Sequence, residues 1–151
     1  MSQSERTLLL VKPDGVQRQL VGRILARFET AELGITALEL RYPEQSHIEH
    51  HYAEHEDKPF FSPLVEYLTD SPVVAVVLAG ENAVGRTREL VGDTDPAVAA
   101  DGTIRGDLGV DSMDEADAAG RALQNLVHAS ANPDEAATET TLWFPDKASD
   151  E

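Results

Sequence analysis

The sequence predicts a mixed fold of strands and helices, α/β or α+β. Three observations carry that expectation. Short β-favouring apolar runs occur at 7–11, 35–40 and 73–79, apolar residues recur at helical spacing between them, and helix-starting signatures stand at Asn82, Ser112 and Asn132. Interleaved strands and helices exclude a helical bundle or an all-β sandwich, but periodicity does not choose between α/β and α+β.

In chain order, the run 7–11 is a strand that stops at Lys12-Pro13-Asp14-Gly15, a turn signature. Val21, Ile24, Phe28 and Ala31 then follow helical spacing, and Gly34 is expected to close that helix. Residues 35–40 alternate enough for a strand, and 43–54 read as a polar helix. Pro72 precedes the strand 73–79, whose continuous valines predict burial on both faces. Asn82 is expected to cap a helix running to Val91, with Gly92 as terminator. Ser112-Met113-Asp114-Glu115 is a capping box for a helix through Leu123. Asn132-Pro133-Asp134-Glu135 repeats the device with proline at the first helical position. Residues 141–144 read as a short final strand, and 145–151 as a polar tail expected to fray.

A chain of 151 residues, 41% apolar, fits one domain with a real core. It contains no cysteine, so disulfides and thiolate chemistry are excluded. The apolar run 73–79 is far too short to span a bilayer, and residues 1–6 lack a signal-peptide pattern. Residence in the cytoplasm is expected. Twenty-eight acids against twelve bases give a net charge of −16, and only Lys12, Lys58 and Lys147 are lysines. That field repels nucleic acid and anionic membrane, so neither is an expected partner. A hydrated acidic surface suits solubility, including in high salt. An alternative, that the acidity serves a cationic partner, has no motif behind it.

Two groups of residues carry chemistry. His128 lies between small residues in Asn125-Leu126-Val127-His128-Ala129-Ser130, and by itself a lone histidine is more often structural. Glu139, eleven residues on, alters that balance. A carboxylate reaching one ring nitrogen fixes the tautomer and leaves the other with a free lone pair, which makes imidazole a nucleophile at neutral pH. The second group is Lys12, Arg88, Thr94 and Arg105, each beside turn formers. Forked arginines and a point-charge lysine suit a polyphosphate, and phosphoryl transfer demands mainly positioning and charge neutralisation.

Taken together, Arg6-Thr7-Leu8, Val11-Lys12-Pro13-Asp14-Gly15-Val16, His51-Tyr52, Lys58-Pro59-Phe60-Phe61, Gly92-Asp93-Thr94-Asp95-Pro96, Gly102-Thr103-Ile104-Arg105-Gly106-Asp107 and Asn125-Leu126-Val127-His128 resemble nucleoside diphosphate kinase, in order and over nearly all of the chain. The resemblance implies a ferredoxin-like sandwich, a four-stranded antiparallel sheet with helices packed on it. It implies ping-pong transfer of the terminal phosphate from a nucleoside triphosphate to a nucleoside diphosphate. Mg²⁺ would be held by the nucleotide phosphates and not by the protein directly. By the same resemblance His128 accepts the phosphate, Glu139 orients its far nitrogen and Ser130 supports Glu139. Lys12 and Asn125 would hold the ribose 3′-hydroxyl, Lys12 also the phosphates. Arg88, Thr94 and Arg105 would clamp the β- and γ-phosphates, and Tyr52 would line the His128 pocket. Phe60 would stack on the base with Leu64 beside it, a mode tolerant of base identity because every base offers a π-face. Members of the family are hexamers or tetramers, so self-association is expected.

The chain departs from the family pattern in three places. Ala129-Ser130-Ala131 stands where Gly-Ser-Asp is usual, so an alanine at 129 would cost about 1 kcal/mol if that position needs a positive φ. An acidic, Ala-rich insertion occupies 110–124, which leaves the wall opposite Phe60 unassigned. The chain stops soon after Trp143-Phe144, as in shorter bacterial members. Two rivals remain open at this point: a catalytically weakened nucleotide-binding or structural member of the same fold, and a metal module using His47, His51 and His55 at helical spacing.

Overall fold

The computed structural model describes residues 5–148; residues 1–4, where the absence of a leader was read, and 149–151, the end of the tail, lie outside them. Among the described residues the strands are β1 (Glu5–Val11), β2 (Gly34–Arg41), β3 (Val73–Gly80) and β4 (Val127–Ala129). The helices are α1 (Pro13–Gln17), α2 (Val21–Thr30), α3 (Gln45–His51), α4 (Phe61–Asp70), α5 (Ala83–Val91), α6 (Ile104–Leu108), α7 (Met113–Ala119), α8 (Pro133–Trp143) and α9 (Pro145–Ala148). The sheet runs β2-β3-β1-β4 with every pairing antiparallel, which is the ferredoxin-like arrangement. The class is therefore α+β.

Helices cover both faces of this sheet. Leu9, Val11, Val74, Val76 and Leu78 pack against Ile24 and Phe28 of α2, Val91 of α5 and Ile104 of α6. The alternate residues Leu8, Leu10, Val73, Ala75 and Val77 pack against Ile48, Val65, Leu68 and Trp143 from α3, α4 and α8. Hence 73–78 of β3 are all buried, as the unbroken valine run requires. Burying a side chain such as Phe28 contributes roughly 2–3 kcal/mol.

Several local expectations need correction. Lys12-Pro13-Asp14-Gly15 is not an open turn but the start of α1, with proline in its first positions. α2 ends without Gly34: Glu32 takes the left-handed conformation (φ 67°), and Gly34 already belongs to β2. The polar helix is confined to α3, followed by a 3₁₀ turn at Ala53–His55. Asn82 occupies the N-cap position of α5 with φ 52° and makes no side-chain cap, while Gly92 does terminate it at φ 91°. Ser112 caps α7 through Glu115 N–H, but Gly120 at φ 67° stops that helix before Leu123. The final strand expected at 141–144 is instead the end of α8, whose Asn132 cap holds Glu135 N–H at 2.9 Å. Residues 145–148 continue as α9. The stretch 110–124 is tied down by Asp111, which accepts two bonds from Arg121, at 2.6 and 2.9 Å, and one from Gln124 N–H.

Candidate active site

β4 is only three residues long, and its placement depends on the end of β1. Lys12 N–H donates to Leu126 O at 2.8 Å, and Leu126 N–H donates to Asp14 Oδ2 at 3.0 Å. These two bonds hold Leu126 at φ 75°, a conformation that costs a non-glycine residue about 1 kcal/mol or more. Tyr67 braces the same carboxylate through its hydroxyl. Beyond this kink His128 pairs with Leu10, so its ring leaves the sheet on the face that also carries Tyr52 and Trp143.

His128 Nε2 lies 2.9 Å from Glu139 Oε1, which also accepts from Ser130 Oγ at 2.6 Å. An ionised carboxylate only accepts, so Nε2 carries the proton and Nδ1 keeps its lone pair. Burial, reinforced by Lys12, Arg105 and Arg88, lowers the His128 pKa to about 3. The imidazole is therefore neutral at pH 7. Burial pushes the Glu139 carboxyl upward, against the opposing pull of His51, Ser130 and Arg88. Tyr52 stands edge-on to His128 at 5.8 Å between ring centroids.

The cations surround this ring. Lys12 Nζ donates to Asn125 Oδ1 at 2.8 Å, and burial, with Arg105 nearby, lowers its pKa to about 7. Asn125 Nδ2 in turn donates to Thr94 O at 2.9 Å. Arg105 donates to the carbonyls of Asn125, Gly92 and Val127 at 3.1, 3.2 and 2.6 Å. Three of its five N–H groups are thus used on backbone and two remain for a ligand. Arg88 Nη1 donates to Ala129 O at 3.1 Å. Lys12, Tyr52, Leu64, Arg88, Thr94, Arg105, Asn125, His128 and Glu139 line one cavity of about 290 Å³. Ser130 is buried behind Glu139.

Phe60 lies outside that cavity, in an adjoining one of about 360 Å³ that shares Lys12, Leu64, Thr94 and Asn125 with it. Met113 and Ala116 of α7 line this second space too, so the stretch 110–124 supplies an apolar wall that sequence alone could not align. A roomier cleft of about 650 Å³ between α4 and 120–124 contains none of the sequence-derived site residues. Two readings left open by the sequence are decided by the geometry. Position 129 does not require a positive φ, so Ala129 carries no backbone strain. Of the histidine row, His47 and His51 share a face of α3, both edge-on to Trp143 at 4.3 and 5.8 Å between ring centroids, while His55 sits past the end of the helix beside Glu54. Among the described residues, the group with metal-like proximity is His51, His128 and Glu139.

His51 is the residue that sequence reasoning undervalued. Its side chain is fully buried, and its Nε2 lies 3.2 Å from His128 Nε2. The accessible signal was the pair His51-Tyr52, which reads as part of a block and not as chemistry. Asp14 was likewise invisible as the anchor of Leu126, because that contact spans 112 positions.

A family model described as nucleoside diphosphate kinase matches residues 5–149 of the chain. The nucleoside diphosphate kinase of Mycolicibacterium gilvum is 51% identical over 143 residues, covering 94% of this chain and 98% of that one. A transition state mimic of nucleoside-diphosphate kinase from Borrelia burgdorferi, with bound vanadate and ADP, superposes with a TM-score of 0.92 at 33% identity. It covers 96% of this chain and 89% of its own. A halophilic nucleoside diphosphate kinase from Halobacterium salinarum in complex with CDP gives a TM-score of 0.86 at 42% identity, covering 97% and 91%.

Proposed function

Because the chain belongs to the nucleoside diphosphate kinase family, and so is a nucleotide-binding phosphotransferase, we propose that it works by ping-pong transfer through a phosphate carried on His128. The Nδ1 lone pair attacks the terminal phosphorus of a nucleoside triphosphate, and the electrons of the breaking P–O bond leave with the diphosphate. A second nucleoside diphosphate then reverses the step. Glu139, backed by Ser130, holds the opposite nitrogen, and Tyr52 walls the ring. Lys12, Arg88, Thr94 and Arg105 take the β- and γ-phosphates, with each well-aimed donor contributing roughly two to three powers of ten in rate. Lys12 and Asn125 hold the ribose hydroxyl, and the base lies between Phe60 with Leu64 and the wall of Met113 and Ala116. The observation that supports this reading most is a neutral, carboxylate-braced imidazole at hydrogen-bonding distance from Glu139, facing three cations.

Mg²⁺ fits this site as an ion carried in on the phosphates. Lys12, Arg88 and Arg105 line the cavity for phosphates; of its carboxylates Glu139 is bonded to Ser130 and His128, Glu54 and Glu135 also stand on its wall, and position 131 is alanine. Bound there, it neutralises phosphate charge. No helix among the described residues is long and apolar enough to cross a membrane, in line with the proposed cytoplasmic residence. Self-association as a hexamer or tetramer has a candidate contact in the edge strand β2. Its Leu38 and Leu40 are more than half exposed and share one face with Tyr42 beyond its end.

The test is incubation with γ-labelled ATP followed by a chase with GDP. Acid-labile, base-stable label at His128, removed by GDP, is expected. His128→Ala should bind nucleotide and transfer nothing. A folded wild-type protein that takes up no label would refute the reading.

A further inference from the structure

The network behind the nucleophile contains a donor that the transfer reaction does not need. Trp143 Nε1 donates to His51 Nδ1 at 2.9 Å, and an indole nitrogen can only donate. His51 Nδ1 is therefore an acceptor, and in this fully buried neutral ring the proton sits on Nε2. That N–H lies 3.2 Å from His128 Nε2 but 3.9 Å from Glu139 Oε2. The same assignment argues against a metal ion between His51, His128 and Glu139. Coordination through His51 Nε2 would move its proton onto Nδ1, against the indole N–H.

We propose that His51, locked as a donor by Trp143, is a positioning residue that opposes phosphorylation of His128 and so keeps the phosphoenzyme energetically close to the nucleoside triphosphate. The inference rests on the reading of His128 as acceptor. In the free enzyme the neutral His128 ring, whose Nε2 proton is drawn to Glu139, still has an alternative: shifting that proton to Nδ1 exchanges the bond to Glu139 for one accepted from His51. Once Nδ1 bonds phosphorus that escape closes. The ring then gains positive charge, Nε2 must keep its proton for Glu139, and two N–H groups face each other. Glu139 favours the phosphorylated ring and His51 disfavours it. A carrier that must return its phosphate to any diphosphate is served by that balance, because too stable a phosphoenzyme would hold its cargo.

The measurement is the equilibrium between enzyme plus ATP and phosphoenzyme plus ADP, read as phosphoenzyme fraction over a range of ATP/ADP ratios. His51→Leu removes the donor, and Trp143→Phe frees His51 to turn its lone pair toward His128. Both should shift the equilibrium toward phosphoenzyme by roughly fivefold to tenfold, the scale of one hydrogen bond made or lost. His51→Gln, which can accept from Trp143 and still donate, should restore the wild-type ratio. A purely structural role would change melting temperature or kcat and leave this ratio where it was. Nitrogen-15 NMR of the wild type, which needs no variant, should find His51 Nδ1 unprotonated and Nε2 protonated. An unchanged equilibrium in folded variants, or a proton on His51 Nδ1, would overturn the proposal. A wild-type enzyme that forms no phosphoenzyme would instead remove the acceptor reading, and this one with it.

Discussion

Glu139→Gln isolates the charge behind the nucleophile while leaving its shape in place. In the wild type one oxygen, Oε1, serves both Ser130 Oγ at 2.6 Å and His128 Nε2 at 2.9 Å. The amide keeps an acceptor but loses the ionic character of both bonds. If its NH₂ group turns toward His128, it favours the tautomer with the proton on Nδ1, which has no free lone pair for attack. A hydrogen bond to a charged group contributes about 1.5–3 kcal/mol, so the transfer rate should fall by roughly one to two powers of ten. Nucleotide affinity should change little, since the cations that hold the phosphates are untouched. Stability should move the other way. Burial raises the Glu139 pKa above its unfolded value, so ionising it in the folded state costs free energy at neutral pH, and the uncharged amide avoids that cost. Single-turnover transfer from labelled ATP and a melting curve at pH 8 read the two quantities. A transfer rate within about threefold of wild type would refute the reasoning.

Lys12, with a pKa lowered to about 7 by burial, should be charged below that pH and largely neutral above it, so ADP affinity should fall as pH rises through 7. Calorimetry at pH 8 in buffers of different ionisation enthalpy should register proton uptake on binding, and Lys12→Arg should abolish it; a buffer-independent heat in the wild type counts against this. Asp14→Ala leaves Leu126 N–H without its acceptor, a loss of about 1–3 kcal/mol. Denaturant titration should report that loss, and transfer should drop as well, because the kink that aims β4 relaxes; full activity would sever the link. The net charge of −16 predicts a melting temperature that rises with molar salt, and a flat response would exclude a screening role.

How far the sequence was legible depended on element length and on the range of the contacts. β1, β2, β3 and α2 were found because their apolar patterns run for seven to ten residues. β4 has three residues and no period to detect, so the strand bearing His128 went unseen. The 141–144 error has a definite cause: Leu142, Trp143 and Phe144 are consecutive apolar residues that close α8 against the sheet, and a short apolar run looks alike in either conformation. α4 and α6 escaped notice, the second because it is a five-residue helix inside a long connection. Asn132 and Ser112 were readable because a cap acts within three residues of itself. Tertiary brackets such as Asp14 to Leu126 are not local, and the geometry of the site depends on them.

The pairing of Leu10 with His128 has a bearing on how such a chain can change over time. Residues alternate across a strand, so displacing 127–129 by a single position would swing the imidazole into the layer occupied by α2 and α5. Upstream of the kink at Leu126, no such parity applies. A segment can lengthen there by any number of residues and even fold into α7, provided its two ends still meet Asp111 and Asp14. The acidic stretch at 110–124 therefore marks a place where this fold can accept new material, immediately before one where it can accept none.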